Sequence, residues 1–152
     1  MEYLYHVTYL AYLPSIAKDG IKPNMGSSMG GAGLDKHKEA MVFLTSGPGV
    51  SFWFSKSEDW AFSEYDDFAD IGLVPVVLRV PNSFGKKLKE DDIGTNDSRH
   101  DAWMLKGRVR KDIDIFFDGD WFDLQRNWED ISGDDSVDEE GSMLENSENP
   151  LY

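Results

Sequence analysis

Apolar and polar positions change rhythm several times along the chain. Residues 3–8 (Tyr3-Leu4-Tyr5-His6-Val7-Thr8) are aromatic and β-branched, which predicts a strand. Leu10, Leu13, Ile16 and Ala17 then recur at helical spacing, Pro14 suits a first turn, and Gly20 after Asp19 marks the stop. Ile21-Lys22-Pro23 leaves the helix. Gly26, Gly30, Gly31 and Gly33 stand among serines and methionines and predict a flexible loop over 24–34, with a short helical turn over 35–40. Met41-Val42-Phe43-Leu44-Thr45 is an apolar strand, closed by Ser46-Gly47-Pro48-Gly49.

Phe52, Phe54, Trp60, Ala61 and Phe62 populate the next segment, and a Ser57-Glu58-Asp59 start predicts a helix near 56–65. Residues 73–80 form the strongest strand pattern in the chain, ended by Pro81-Asn82. A polar stretch with Lys86, Lys87 and Lys89 separates it from another strand at 102–105, closed by Lys106-Gly107. A further strand follows at 113–117, with weak alternation. Asp118-Gly119-Asp120 signals a turn, and 121–124 returns as a short strand. The order is strand, helix, strand, helix, then several strands, an α+β pattern without the alternation of a doubly wound sheet. No internal repeat is visible. Gly30-Gly31-Ala32-Gly33 is no phosphate fingerprint, because it neither follows a strand nor leads into a Gly-Lys-Ser/Thr start.

Composition narrows the chemistry. The 152 residues suit one domain able to bury a real core. No cysteine is present, so disulfides, thiol nucleophiles and Cys-ligated zinc are excluded. His6, His37 and His100 leave little for a histidine metal site, and no metal is expected. No apolar run is long enough to span a bilayer, and residues 1–10 lack the basic start and apolar core of a signal peptide, so a cytoplasmic location without membrane contact is expected. The formal net charge is −14. Nine of the acids (Glu129, Asp130, Asp134, Asp135, Asp138, Glu139, Glu140, Glu145 and Glu148) fall after Trp128, where no Lys or Arg occurs. Without them 20 acids face 15 bases, a body of −5. The expected organisation is therefore one domain over 1–131 and an acidic tail over 132–152 that buries too little to order itself. A solubilising role is the simpler expectation for this tail. The alternative is docking, with its carboxylates covering a surface that carries Arg99, Arg108 and Arg110.

Three segments carry candidate chemistry. Alternation puts His6 and Thr8 on one face of the first strand, although a strand histidine is commonly satisfied by backbone. Thr45 and Ser46 place hydroxyls at a strand end, where local turn bonding is the competing explanation. Asp97-Ser98-Arg99-His100-Asp101 groups acids, a guanidinium and an imidazole before 102–105, a set able to bind a ribose hydroxyl or a phosphate. A solvated loop would carry the same residues. No Gly-x-Ser-x-Gly elbow supports a serine hydrolase.

Taken in order, these pieces resemble the ADP-ribosyltransferase fold, and within it the branch of RNA 2′-phosphotransferases and DNA-targeting ADP-ribosyltransferase toxins. That branch opens with His-x-Thr on a strand, here His6-Val7-Thr8, and a helix ending in Gly-Ile/Leu-x-Pro, here Gly20-Ile21-Lys22-Pro23. Its second strand resembles Val42-Phe43-Leu44-Thr45-Ser46. Its late Glu-Trp-x-x-x-Gly-x-Ile segment resembles Ala102-Trp103-Met104-Leu105-Lys106-Gly107-Arg108-Val109, with Asp112-Ile113-Asp114-Ile115 after it.

The likeness covers roughly 3–124. It implies an ADP-ribosyltransferase-like split β core with two N-terminal helices, NAD as substrate, and transfer of ADP-ribose to a nucleic acid or protein acceptor. It also implies a bacterial or phage source. His6 would bond an adenosine ribose hydroxyl with Thr8 beside it. Thr45 and Ser46 would flank nicotinamide, and Arg99 would join the cofactor-binding set. The family's late Glu stabilises the positive charge that develops as nicotinamide leaves. Here Ala102 stands at that position with Asp101 adjacent. Either Asp101 substitutes as the catalytic acid beside His6, or the chain is a catalytically silent binding module or inhibitor of the same fold. An RNA 2′-phosphotransferase-like reaction is a third reading, with Arg99, Lys106, Arg108 and Arg110 as its basic residues.

Overall fold

β1 spans Tyr3–Tyr9 and lies in the middle of a seven-stranded sheet. The computed structural model describes residues 2–23, 41–91 and 101–128. The loop and turn expected over 24–40, with His37, lie outside these residues. So do Asp97, Arg99 and His100, and the acidic tail.

After β1 a 3₁₀ turn (Leu10–Tyr12) leads into α1 (Leu13–Asp19), with Pro14 in its first turn, where the lost N–H costs nothing. Gly20 caps α1 at φ +81° and ψ −177°, a backbone conformation open essentially to glycine alone. Its N–H donates to the Ile16 carbonyl at 2.8 Å. Ile21 then exchanges both backbone hydrogen bonds with Val109, at 2.8 and 3.0 Å, clasping the helix exit to a segment 88 residues later in sequence.

β2 (Val42–Thr45) is followed by a 3₁₀ turn at Gly47–Gly49 and by α2 (Val50–Glu64). α2 starts well before the 56 expected from sequence. Pro48 and Gly49 open it, and the run Phe52-Trp53-Phe54 is helical. Ser57 does not cap the helix. Its hydroxyl donates back to the Trp53 carbonyl at 2.8 Å, the i−4 bond open to a mid-helix serine. β3 (Pro75–Pro81) is the long apolar strand, β5 is Ala102–Leu105, and β6 (Asp114–Phe117) and β7 (Asp120–Asp123) form a hairpin. Asp118 and Gly119 both take positive φ, +51° and +79°, as a two-residue turn matched to strand twist requires. One strand goes unannounced in the sequence. β4 (Leu88–Glu90) pairs with β5 at the sheet edge, and Lys89 and Glu90 there are typical of an edge guarded against further pairing.

The strand order is β4-β5-β2-β1-β3-β6-β7, every neighbour antiparallel, so the described residues form an α+β fold with one open sheet and two α-helices. α2 packs on β1 and β3. The buried Tyr9 hydroxyl donates to the Ser57 carbonyl of α2 at 2.8 Å, which shows that Tyr9 and α2 share a side of the sheet. Leu4, Leu13, Ile16, Leu78, Ile113 and Leu124 are completely buried and belong to one continuous core. Near β6 and β7, Arg79 is stacked between Tyr3 and Trp121 at 4.2 and 4.4 Å, while its Nε donates to Asp114 Oδ2 at 3.0 Å. Nothing in the linear pattern announces this sandwich, because its members come from four strands.

Candidate functional site

β1 is joined very unequally to its two neighbours. All seven of its residues pair with β3, from Tyr3 with Pro81 to Tyr9 with Pro75. Toward β2 the register holds a single pair, Tyr5 with Thr45. Beside that pair, the His6 side chain makes the connection, its Nδ1 lying 2.7 Å from the Phe43 carbonyl. A carbonyl only accepts, so the Nδ1 proton is present and the neutral ring keeps an accepting lone pair on Nε2. No hydrogen bond to Nε2 is found among the described residues. The imidazole is buried, which lowers its pKa from the ordinary value, against the opposing pull of the Phe43 carbonyl. The ring is therefore neutral at pH 7.

The buried polar groups gather at this seam. Among the described residues six polar or charged side chains are buried, and His6, Thr8, Thr45 and Ser46 are four of them. The other two are Ser57 and Asp91. Burial of hydroxyls and an imidazole costs free energy unless each is bonded, so such a concentration needs a reason.

The faces divide the candidates. Tyr5 pairs with Thr45, and Thr45 with Ala102, so these three side chains share one face, the face of Tyr9. His6 and Thr8 lie on the other face with Leu44 and its partner Trp103, and extended Ser46 falls on that side too. Thr45 is thus brought beside His6 in the sheet but turned away from it. Its hydroxyl donates to the Asp101 carbonyl at 2.8 Å, and a side chain at Gly49 would collide with it. The Thr45 hydroxyl is used to tie β2 to the start of β5. Asp101 itself is exposed, and alternation from Trp103 carries it to the His6 face. The structure therefore brings His6, Thr8, Ser46 and Asp101 to one side, and Arg99 lies outside the described residues.

Two residues here escaped the linear pattern. Asp91 is a buried acid at the end of β4, and its N–H donates to the Ala102 carbonyl at 2.8 Å. In sequence it sits within Glu90-Asp91-Asp92, which looks like an ordinary solvated charge run, and only pairing with β5 buries it. Trp103 carries a buried indole N–H with no hydrogen-bond partner among the described residues. Its place on the His6 face follows from the register of β2 and β5, which no local signal encodes.

The lowered pKa has a measurable consequence. Unfolded, His6 takes up a proton near pH 6.5, and folded it does so at a lower pH. Between the two values the unfolded chain binds more protons, so this contribution to stability is complete above about pH 6.5 and is lost as pH falls toward the folded value. The thermal midpoint of wild type should drop between about pH 7 and pH 5.5 by more than that of His6→Gln. Equal slopes for the two proteins would mean that His6 titrates as it does unfolded.

Among the described residues no group of three or more His, Asp or Glu side chains is placed to hold a metal ion, and no helix is long and apolar enough to cross a membrane. No protein-family model, no curated protein and no solved structure matches the chain.

Proposed function

We propose that the chain binds NAD at the seam between β1 and β2 and acts as an ADP-ribosyltransferase, passing ADP-ribose to a nucleic acid or protein acceptor. The observation that carries this reading is the His6 ring, fixed by its Nδ1 proton on the Phe43 carbonyl and neutral, with Nε2 presented as an acceptor. A ribose hydroxyl is a donor that suits such an atom. The sheet supports a split core, because β1 is fully paired to β3 and touches the β2 ladder at one residue pair. Thr8 and Ser46 add hydroxyls on the same face, and Trp103 adds an aromatic surface with an indole donor.

The dinucleotide supplies the bond that breaks, between nicotinamide and its ribose, with nicotinamide leaving on the bonding pair. The chain supplies negative charge against the cationic sugar that results, and a positioned anion is worth several kcal/mol in that role. Asp101 is assigned to it because it follows the His6 face. Ala102 has no carboxylate to offer, and its position faces the opposite side beside Thr45. The exposure of Asp101 joins the alanine at position 102 in favouring a silent binding module of the same fold, because a solvated carboxylate stabilises charge less than a sheltered one.

Calorimetry with NAD tests the binding. Wild type should release heat, and His6→Ala should weaken binding by about tenfold, the worth of one hydrogen bond of about 1.4 kcal/mol. Absence of heat with wild type, or equal affinity in a folded His6→Ala protein, would remove the assignment. Labelled NAD incubated with cell lysate then separates enzyme from silent module. Transfer that disappears in Asp101→Ala supports the enzyme, and no transfer despite NAD binding supports the silent reading. Transfer lost in Asp91→Asn but kept in Asp101→Ala would move the acid to β4.

A further inference from the structure

The clasp between Ile21 and Val109 concentrates positive charge on an acidic protein. The antiparallel pairing sets Lys22 beside Arg108, and Arg108 Nη1 reaches the Asp19 carbonyl at 3.4 Å. Arg110 lies against Gly20, close enough that a Cβ there would stand 2.9 Å from the Arg110 Cα. Gln125 Nε2 donates to the Arg110 carbonyl at 2.9 Å, with the Ala17 carbonyl at 3.5 Å, which brings Arg126 and Lys18 to the same place. Lys106 and Lys111 flank the segment in sequence. Seven of the 15 cations in the chain thus fall here, with Asp19, 3.5 Å from Lys22, Asp112 and Asp123 among the acids between them.

We propose that the acidic segment 129–152 docks on this basic ridge. It carries nine carboxylates and no base, the strongest charge complement to the ridge within the chain. It also starts there. Asp123 pins the turn before it, accepting the Arg126 N–H on Oδ1 at 2.8 Å and the Asn127 N–H on its carbonyl at 3.0 Å, and the segment begins in sequence three residues after Arg126. A 24-residue segment has a root-mean-square reach of about 25–30 Å if flexible, enough to lie along the ridge. Tethering makes the contact intramolecular, at an effective concentration on the order of millimolar. The rest of the body carries an excess of acids and repels the segment. Lys86 and Lys87, in the turn before β4, adjoin the ridge, because the pairing of Leu88 with Leu105 sets Lys87 across from Lys106, so the lysine used for comparison is Lys56 of α2. The inference stands apart from the reading of NAD binding.

Zero-length carbodiimide crosslinking of the full chain, mapped by mass spectrometry, tests it, because the reagent joins a carboxylate to an amine only in contact. At about 20 mM salt, amides from Asp138, Glu139, Glu140, Glu145 and Glu148 to Lys18, Lys22, Lys106 and Lys111 should exceed, per lysine, those to Lys56 by at least ~3-fold. At about 500 mM salt, where the screening length shrinks to roughly 4 Å, the excess should disappear. The triple variant Arg108→Glu, Arg110→Glu, Arg126→Glu, checked for an unchanged circular dichroism spectrum, should lose the excess at low salt. Equal crosslinking of the ridge lysines and Lys56, an excess that survives high salt, or crosslinks confined to dimers would overturn the proposal, the last by assigning the ridge to a second copy.

Discussion

Gly20→Ala is expected to cost about 3–5 kcal/mol, a large share of the 5–15 kcal/mol that holds a typical domain folded. Two effects add at this position. The backbone at φ +81° and ψ −177° is strained for any residue with a Cβ. The new methyl would also land on the Val109 carbonyl and stand 2.9 Å from the Arg110 Cα, both of them backbone atoms that cannot swing aside. Relief requires parting Ile21 from Val109, which opens the clasp holding α1 to the segment before β6. The thermal midpoint should fall by roughly 10 °C or more. Gly107 provides the comparison, since its φ is +100° but a methyl added there would meet no atom of the described residues within 4 Å. Gly107→Ala should cost only the strain, about 1–2 kcal/mol. If both variants melt at the same temperature, close approach at Gly20 contributes nothing.

Leu78→Ala should cost about 3 kcal/mol, within the range for a leucine removed from a sealed core. Leu78 is fully buried at the middle of β3, paired on one side with His6 and on the other with Ile115. No solvent can fill the space left by the truncation, so both lost burial and a residual cavity count against the variant. Urea unfolding should show a lower midpoint at unchanged slope, because the surface exposed on unfolding is nearly the same. Val77→Ala, on the opposite face and half-buried, should cost about 1 kcal/mol. The pair tests the register directly, since a slip by one residue exchanges the two faces. A larger loss for Val77→Ala than for Leu78→Ala would reverse the facing of β1 as well, and with it the placement of His6.

Local rules explain how much of the fold was legible in the chain. The aromatic and β-branched runs around Tyr5 and Val77, the helical spacing of Leu13, Ile16 and Ala17, the Gly20 stop and the Asp118-Gly119 turn each reflect forces acting within a few residues, and all recur in the structure. The α2 start was illegible because Phe52-Trp53-Phe54 is apolar on every side, and such a run carries no period to separate helix from strand. β4 was illegible because an edge strand buries little and is written in polar residues.

The candidate site divides along the same line. Sequence by itself determined the order of elements, the pairing of His6 with Thr8 on one face and the excess of acid after Trp128, because alternation and charge are properties of consecutive residues. Tertiary structure alone decided that β2 and β3 flank β1, that Thr45 turns away from His6 to bond the Asp101 carbonyl, and that Asp91 is buried beside Ala102. It also gathered Lys22, Arg108, Arg110 and Arg126 into one ridge. The reason is geometric. Alternation fixes which side chains of one strand share a face, whereas the contacts that build the site join distant segments, such as His6 with Phe43, 37 residues apart, and Thr45 with Asp101, 56 residues apart, and only the packed chain selects them.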